Sequence, residues 1–246
     1  MKIVCVITAR MGSTRLRGKA MMSILGKPML ERVVERTQRS KLIDEIVIAT
    51  TTNQEDDVIV ELAKKLGVGI YRGSSEDVLN RTLKAAKSVN GDTIVQINGD
   101  SPLTDPELTD ELIQLYLEKK PDYATNSRLK RTFPLGLDVE VFSTKSLEQI
   151  EKTVKDPSVR EHVTLYYYEH PEKYKILSIE ASPELDRPDL RLTLDTKEDL
   201  QLVREIYREL YKKDPSFTTK QIIELIERKP HLKEINVHVR QKKARE

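Results

Sequence analysis

Cysteine is almost missing from this chain: Cys5 is the one thiol in 246 residues, so no intrachain disulfide can form. Its apolar neighbours mark it as a buried core side chain. Long apolar runs are missing too. The opening "MKIVCVITAR" is too short for a signal peptide or a membrane-spanning helix, which leads to the expectation of a soluble, cytoplasmic protein with no membrane partner. Neither sign of charge dominates, because 42 basic residues face 40 acidic ones for a net charge of +2. No global field for a polyanion results, and nucleic acid is excluded as an expected partner. Histidine occurs four times and never at metal-ligand spacing. His170, His231 and His238 read as surface or capping residues, while His162 in "REHVT" stays open. No Ser or Cys sits in a nucleophile elbow. "GVGIYRG" ends in a strand instead of opening a helix after one, so it is no dinucleotide fingerprint. Repeats and low-complexity linkers are also lacking. One domain over 1–246 is therefore expected, with 211–246 a helical C-terminal extension whose end, "RQKKARE", reads as a solvated basic tail.

What is abundant is charge. One third of the residues are charged, above the roughly 25% usual in soluble domains, and tryptophan is absent. Much of the excess is Lys and Glu on helix faces, as in heat-adapted proteins and in many others.

Strand-like and helix-like segments alternate. "KIVCVIT" is a β-branched run suited to a strand buried on both faces. Pro28 opens a helix to about Arg39. "EIVIATT" (Glu45–Thr51) is a second buried strand, and "EDDVIVELAKKLG" a helix stopped at Gly67. "VGIYRG" is a third strand, followed by a helix from near Ser75. "DTIVQI" is a fourth, and Asp105 with Pro106 caps a helix to about Lys119. Further on, "DYATNS", Leu137–Ser143, "KILSIEA" and Leu190–Asp195 are strand-like. Helices are expected at Thr144–Val154, Val159–His170, Lys197–Tyr211 and Thr219–Arg228. This order predicts an α/β, Rossmann-like, mostly parallel sheet with helices on both faces. Its strand C-termini would gather "TARMGSTRLRGK", "RGSSED" and "NGDSP" on one edge, where such sheets bind ligands.

The first of these loops fails the Walker pattern twice: five residues separate Gly12 from Gly18, and Ala20 follows Lys19 where a Ser or Thr belongs. It still carries Arg10, Arg15, Arg17 and Lys19, with glycines that let backbone N–H groups turn toward an anion. Either it is a solvated basic loop or it grips phosphate, and its place at the ligand edge favours phosphate. Asp100 ends a buried strand and is either a turn residue or a carboxylate for a hard cation. Asp195 is either the N-cap of the following helix or a second such carboxylate. Taken with the basic loop, the pair suggests Mg²⁺ with a nucleoside triphosphate.

"TARMGSTRLRGK", "GKPMLERVVERTQRSKLIDEIVIATT", "YRGSSEDVLNR", "QINGDSPLTDP", "FPLGLDVEVFS", "REHVT" and "LRLTLDTKEDLQLV" together resemble the cytidylyltransferase superfamily. That superfamily activates sialic acid, KDO and related acidic sugars, and the likeness is greatest to its spore-coat polysaccharide (SpsF-like) branch. It covers roughly residues 2–210, with Arg17 standing where the family usually has Pro. The resemblance implies the nucleotide-diphospho-sugar transferase fold and Mg²⁺-dependent transfer of CMP from CTP to a hydroxyl of an acidic sugar, with release of pyrophosphate. It implies that Arg10, Arg15 and Lys19 hold the triphosphate with backbone help at Ala9, Gly12 and Ser13. Arg72, Gly73 and Ser74 would lie near the base, Asn98 and Gly99 near the nucleoside, and Asp100 and Asp195 on the metal. Arg10, Lys19 and Asp100 are the candidate catalytic residues. For the sugar, Arg81, Arg128 and Arg160 are candidates for its carboxylate, and Asp138 and Glu140 for its hydroxyls unless they form only a polar strand face. A homodimer is also implied. The alternatives are another NTP or acceptor, a glycosyltransferase on a similar sheet, and a nucleotide-binding regulator without turnover.

Overall fold

The computed structural model describes residues 1–127, 129–242 and 245. The chain runs β1 (Ile3–Thr8), a 3₁₀ turn (Lys19–Met21), β2 (Ser23–Ile24), β3 (Lys27–Pro28), α1 (Met29–Thr37), β4 (Glu45–Thr51), a second 3₁₀ turn (Gln54–Asp56), α2 (Asp57–Leu66), β5 (Gly69–Gly73), α3 (Val78–Ser88) and β6 (Thr93–Asn98). It continues through α4 (Pro106–Lys119), β7 (Tyr123–Thr125), β8 (Glu140–Ser143), α5 (Thr144–Thr153), α6 (Pro157–Glu161), α7 (Leu165–Glu169), β9 (Ile176–Ser178), α8 (Lys197–Leu210), α9 (Thr219–Arg228) and α10 (His231–Glu234).

Seven strands form one sheet in the order β5-β4-β1-β6-β8-β7-β9. β8 runs against both its neighbours, and every other pairing is parallel. The β-branched run of β1 is explained by its central place. Ile3, Cys5 and Ile7 face one apolar layer with α1, α2, α4, α8 and α9, whereas Val4 and Val6 face the other with α3, α5, α6 and α7. Burial on both faces favours such runs over alternation. Cys5 lies fully buried, and that burial pushes its thiol pKa well up.

After β1 the chain builds β4 and β5 on one side and then returns to place β6 on the other. Between β1 and β6 the strand order therefore reverses, and a crevice opens there beyond the strand ends. Gly99 makes the crevice narrow at its base. Its N–H donates to Thr8 O at 2.9 Å, and a Cβ on it would stand 2.6 Å from that oxygen.

Two expected elements differ in more than their bounds. Val159–His170 is two short helices, because Thr164 turns inward and its buried hydroxyl donates to Glu140 Oε1. Leu190–Asp195 alternates as expected, with Leu190, Leu192 and Leu194 buried, but it joins no ladder beyond one bridge, Leu135 to Arg191. Its N–H groups are taken by two separate loops: Leu192 N donates to Leu135 O and Leu194 N to Asp100 O. Gly136 makes this approach feasible, since a Cβ there would lie 2.3 Å from Thr193 N.

The C-terminal helices share the main core, into which they bury Phe217, Ile222, Ile226 and Leu232. A polar latch holds them. Asp105 caps α4 through Oδ1, and its Oδ2 accepts from Thr219 N and Oγ1. The buried Arg36 donates to Thr104 O and Phe217 O. Asp105→Ala removes a cap and orphans two buried donors, and is expected to cost about 2–4 kcal/mol of unfolding free energy by urea titration. Asp105→Asn, which keeps one of the two acceptor oxygens, is expected to recover about half of that loss.

Candidate functional site

A cleft of about 290 Å³ lies at the crevice, lined on one side by Thr8, Ala9, Arg10, Ser13, Thr14, Arg15 and Lys19 from the loop after β1. Asn98, Gly99 and Asp100 at the end of β6 also line it, with Asp195 before α8, Val78 and Arg81 from α3, and Glu161 and His162 at the end of α6. Most of the residues expected at the phosphates, nucleoside and metal thus meet in one place.

The loop after β1 is held by its own backbone and by one buried acid. Met11 N donates to Asp56 Oδ1 at 2.7 Å, and Gly18 N donates back to Met11 O at 2.8 Å. This closure swings Lys19 inward, where its ammonium donates to Asp100 Oδ2 at 2.7 Å, Asp195 Oδ1 at 2.8 Å and Leu194 O at 2.9 Å. Three N–H donors meet three acceptors, so the buried charge is fully bonded. Burial opposes that charge, but Asp100 and Asp195 outweigh it and hold the Lys19 pKa above its ordinary value.

Asp195 is 5% exposed, yet it is surrounded by cations: besides Lys19, Arg15 Nη2 lies 2.7 Å and Arg191 Nη2 2.9 Å from Oδ2. Burial alone would raise its pKa, but these cations, Lys19 foremost, keep it below the usual carboxylate range. Asp195 is not the cap of α8. Thr196 is, in a capping box with Asp199. Asp100 likewise caps nothing, since Asp105 caps α4. Asp195 is therefore free of the capping role that would otherwise account for it, while Asp100 stands in the turn after β6 with its carboxylate on Lys19.

Two carboxylate oxygens on one ammonium are close enough to share a single small cation. Among the described residues no group of three or more His, Cys, Asp or Glu could hold a metal. The donor set suits a hard ion that completes its shell with substrate phosphates and water, and not an all-protein cage.

Arg10 and Arg81, both lining the cleft, reach one loop. Arg10 Nη1 donates to Ser75 O at 3.1 Å, and Arg81 Nη1 donates to Ser74 O. Burial, with Arg10 nearby, lowers the Arg81 pKa to about 10. Arg81 Nε is buried with no hydrogen-bond partner among the described residues.

Several expected residues stand elsewhere. Arg17 has a side chain 82% exposed and pairs with Glu55. Arg72, Gly73 and Ser74 lie behind the cleft lining. Arg72 ties the ends of β4 and β5 through Thr51 O, Asn53 O and Asp57, and Ser74 Oγ turns the chain into α3 by accepting from Glu76 N and Asp77 N. That turn delays α3 to Val78, past the expected Ser75. Gly12 is also outside the lining. Arg160 is bound to Asp77 and Glu151, and it is its neighbours Glu161 and His162 that reach the cleft. Asp138 forms a two-pronged pair with Arg131 at 2.7 and 3.0 Å. Glu140 is buried, accepting from Tyr123 Oη at 2.6 Å and from Thr164. Neither is on an outward face or in the cleft. Arg128 lies outside the described residues. Glu161 and Val78 were missed by the sequence reading, because nothing in local pattern aims them across the crevice.

The chain is similar to known proteins along nearly its whole length. A family model described as cytidylyltransferase matches residues 4–243. The spore coat polysaccharide biosynthesis protein SpsF of Bacillus subtilis is 34% identical over 93% of this chain and 95% of its own length. A solved cytidylyltransferase from Leptospira borgpetersenii is 35% identical and superposes with a TM-score of 0.89 over 99% of each chain. CMP:2-keto-3-deoxy-manno-octonic acid synthetase complexed with CTP shares the fold at 18% identity, with a TM-score of 0.65 over 85% of this chain and 99% of that one. With a match that runs from the first strand to the C-terminal segment and takes in every loop of the cleft, the chain belongs to the cytidylyltransferase family.

Proposed function

We propose that this enzyme transfers the CMP unit of CTP to a hydroxyl of an acidic, nonulosonate-like sugar and releases pyrophosphate, with Mg²⁺ as its metal. The observation that carries the proposal is the meeting of Asp100 and Asp195 with Lys19, Arg10 and Arg15 at the point where the strand order reverses. Solved relatives of this fold include a CTP complex and a manganese complex.

Arg10 and Arg15, both exposed at the cleft, supply forked donors to phosphate oxygens. Asp100 and Asp195 would hold Mg²⁺ together with those oxygens, and the bound ion would withdraw charge from the α-phosphate and acidify an attacking hydroxyl. Lys19 keeps the two aspartates at one spacing. Asn98, exposed at the end of β6, is set to meet the nucleoside, and the wall of Arg81 and His162 offers cationic or polar contact to the sugar acid. Alignment and charge neutralisation carry this chemistry, with no covalent intermediate on the protein. Surface polysaccharide synthesis is the setting the SpsF likeness favours, and a homodimer is the assembly proposed.

Pyrophosphate release in a matrix of four NTPs against several 2-keto sugar acids is expected to peak with CTP, at least tenfold above UTP in kcat/KM, or about 1.4 kcal/mol. Equal turnover with all four would sink the cytidylyl reading. Arg15→Ala is expected to weaken CTP binding by one to two decades, from loss of a charge-assisted contact worth roughly 1.5–3 kcal/mol. Its melting temperature is expected to stay within a few degrees, because the side chain is on an open loop. Asp100→Asn is expected to lower kcat/KM at least a hundredfold, about 2.7 kcal/mol, with partial recovery in Mn²⁺. Near-wild-type turnover in that variant would remove Asp100 from the metal.

A further inference from the structure

Behind Asp195 lies a second layer of polar residues that the reaction itself does not use. Arg191 is 8% exposed, and its five N–H donors are aimed in three directions. Nε and Nη2 fork onto Asp199 at 2.8 and 3.0 Å, Nη2 also reaches Asp195 Oδ2 at 2.9 Å, and Nη1 donates to Gln241 Oε1 at 2.6 Å. Asp199 is fully buried, and it accepts from the backbone N–H of Asp195 at 2.9 Å. Asn236, 3% exposed, closes the ring by donating to Asp199 Oδ1 at 2.8 Å and to Arg191 O at 3.0 Å. Asp195 is thus gripped at its backbone by Asp199 and at one carboxylate oxygen by Arg191. Its other oxygen is left facing Lys19 and Asp100.

We infer that Arg191 is a positioning residue that fixes the rotamer of Asp195 so that Oδ1 stays turned toward Asp100, and that the C-terminal segment around Asn236 and Gln241 holds Arg191 in place. The inference rests on the reading of Asp195 as a metal ligand. Arg15 also touches Oδ2, but from an open loop with a side chain 35% exposed. The guanidinium from below is the fixed one. It also forks Nε and Nη2 onto Asp199 while Nη2 reaches Asp195, a planar two-pronged geometry that an ammonium on a single stem cannot reproduce. Groups that orient a ligating carboxylate from behind typically matter by ten- to a hundredfold in metal affinity. The C-terminal segment is in this way part of the site, although none of its described residues lines the cleft.

Orientation and charge act in opposite directions here, which makes the inference testable. Removing a cation beside a metal site favours metal binding through charge alone. Free Mn²⁺ would be followed by electron paramagnetic resonance as it binds the protein with a CTP analogue whose α,β-bridge cannot be cleaved, and with no sugar, so that turnover plays no part. Arg191→Lys, which keeps the charge and loses the fork, is expected to weaken Mn²⁺ at least tenfold, about 1.4 kcal/mol. Arg191→Gln is expected to weaken it too. Gln241→Ala is expected to weaken it about threefold, on the order of 0.6 kcal/mol, with Gln241→Glu restoring the wild-type value. Tighter Mn²⁺ binding in Arg191→Gln would mean that charge alone was at work and would overturn the inference. If the Arg191 variants do not fold, the exposed Gln241 decides: unchanged Mn²⁺ binding in Gln241→Ala overturns it. Asp195→Asn serves as the reference. Weakened Mn²⁺ there, with normal binding in the Arg191 and Gln241 variants, rejects the positioning role alone, and normal Mn²⁺ binding in Asp195→Asn rejects the metal reading beneath it.

Discussion

Two aspartates from segments nearly a hundred residues apart face each other across the cleft, and the ammonium of Lys19 is what lets them do so. Like charges brought together out of bulk water repel strongly unless a cation lies between them. Here the cation comes from the loop after β1, so the position of that loop and the spacing of the carboxylates are one problem with one solution. Met11 on Asp56, Gly18 on Met11 and Leu194 on Asp100 are the bonds that bring the three side chains to the same point.

The sheet supplies the rest of the geometry. Strand order reverses between β1 and β6, so two of the segments that line the cleft come from adjacent strands that diverge only after Thr8 and Asn98. The third contribution comes from a segment that belongs to no strand. Residues 190–194 are held by Leu135 on one side and Asp100 on the other, and the chain can then deliver Asp195 to the cleft and turn at Thr196 into α8. A regular strand at this position would fix its neighbours by a ladder. An extended segment with shared bonds can instead carry one acid to one place.

Much of this was legible in the chain. The continuous apolar runs of β1 and β4 announced strands covered on both sides, and their alternation with helical periods announced parallel order, because those patterns record burial directly. The loops at the ligand edge followed from that order. What the sequence concealed was the partner of each charge. Arg81 and Arg160 are both cations on one wall of the molecule, yet Arg81 lines the cleft while Arg160 is held by Asp77 and Glu151, and only long-range packing separates the two cases. Asp138 and Glu140 share a spacing of two, which in an ordinary strand gives one face. Asp138 precedes β8 and pairs locally with Arg131, whereas Glu140 is within it and buried under Tyr123. The cap of α8 was displaced by a single residue, from Asp195 to Thr196. That shift of one position separates a helix-stabilising acid from one left for chemistry.

The lone thiol of Cys5 sits at the centre of β1, paired with Ile46 on one side and Val95 on the other. It is fully covered, and its thiolate is disfavoured by the same burial. A thiol reagent can reach it only when the layer of α1, α2, α4, α8 and α9 that it faces lifts from the sheet. The rate at which this protein takes up such a reagent is therefore a clock for opening of that core layer, with a single hand and no background from other cysteines.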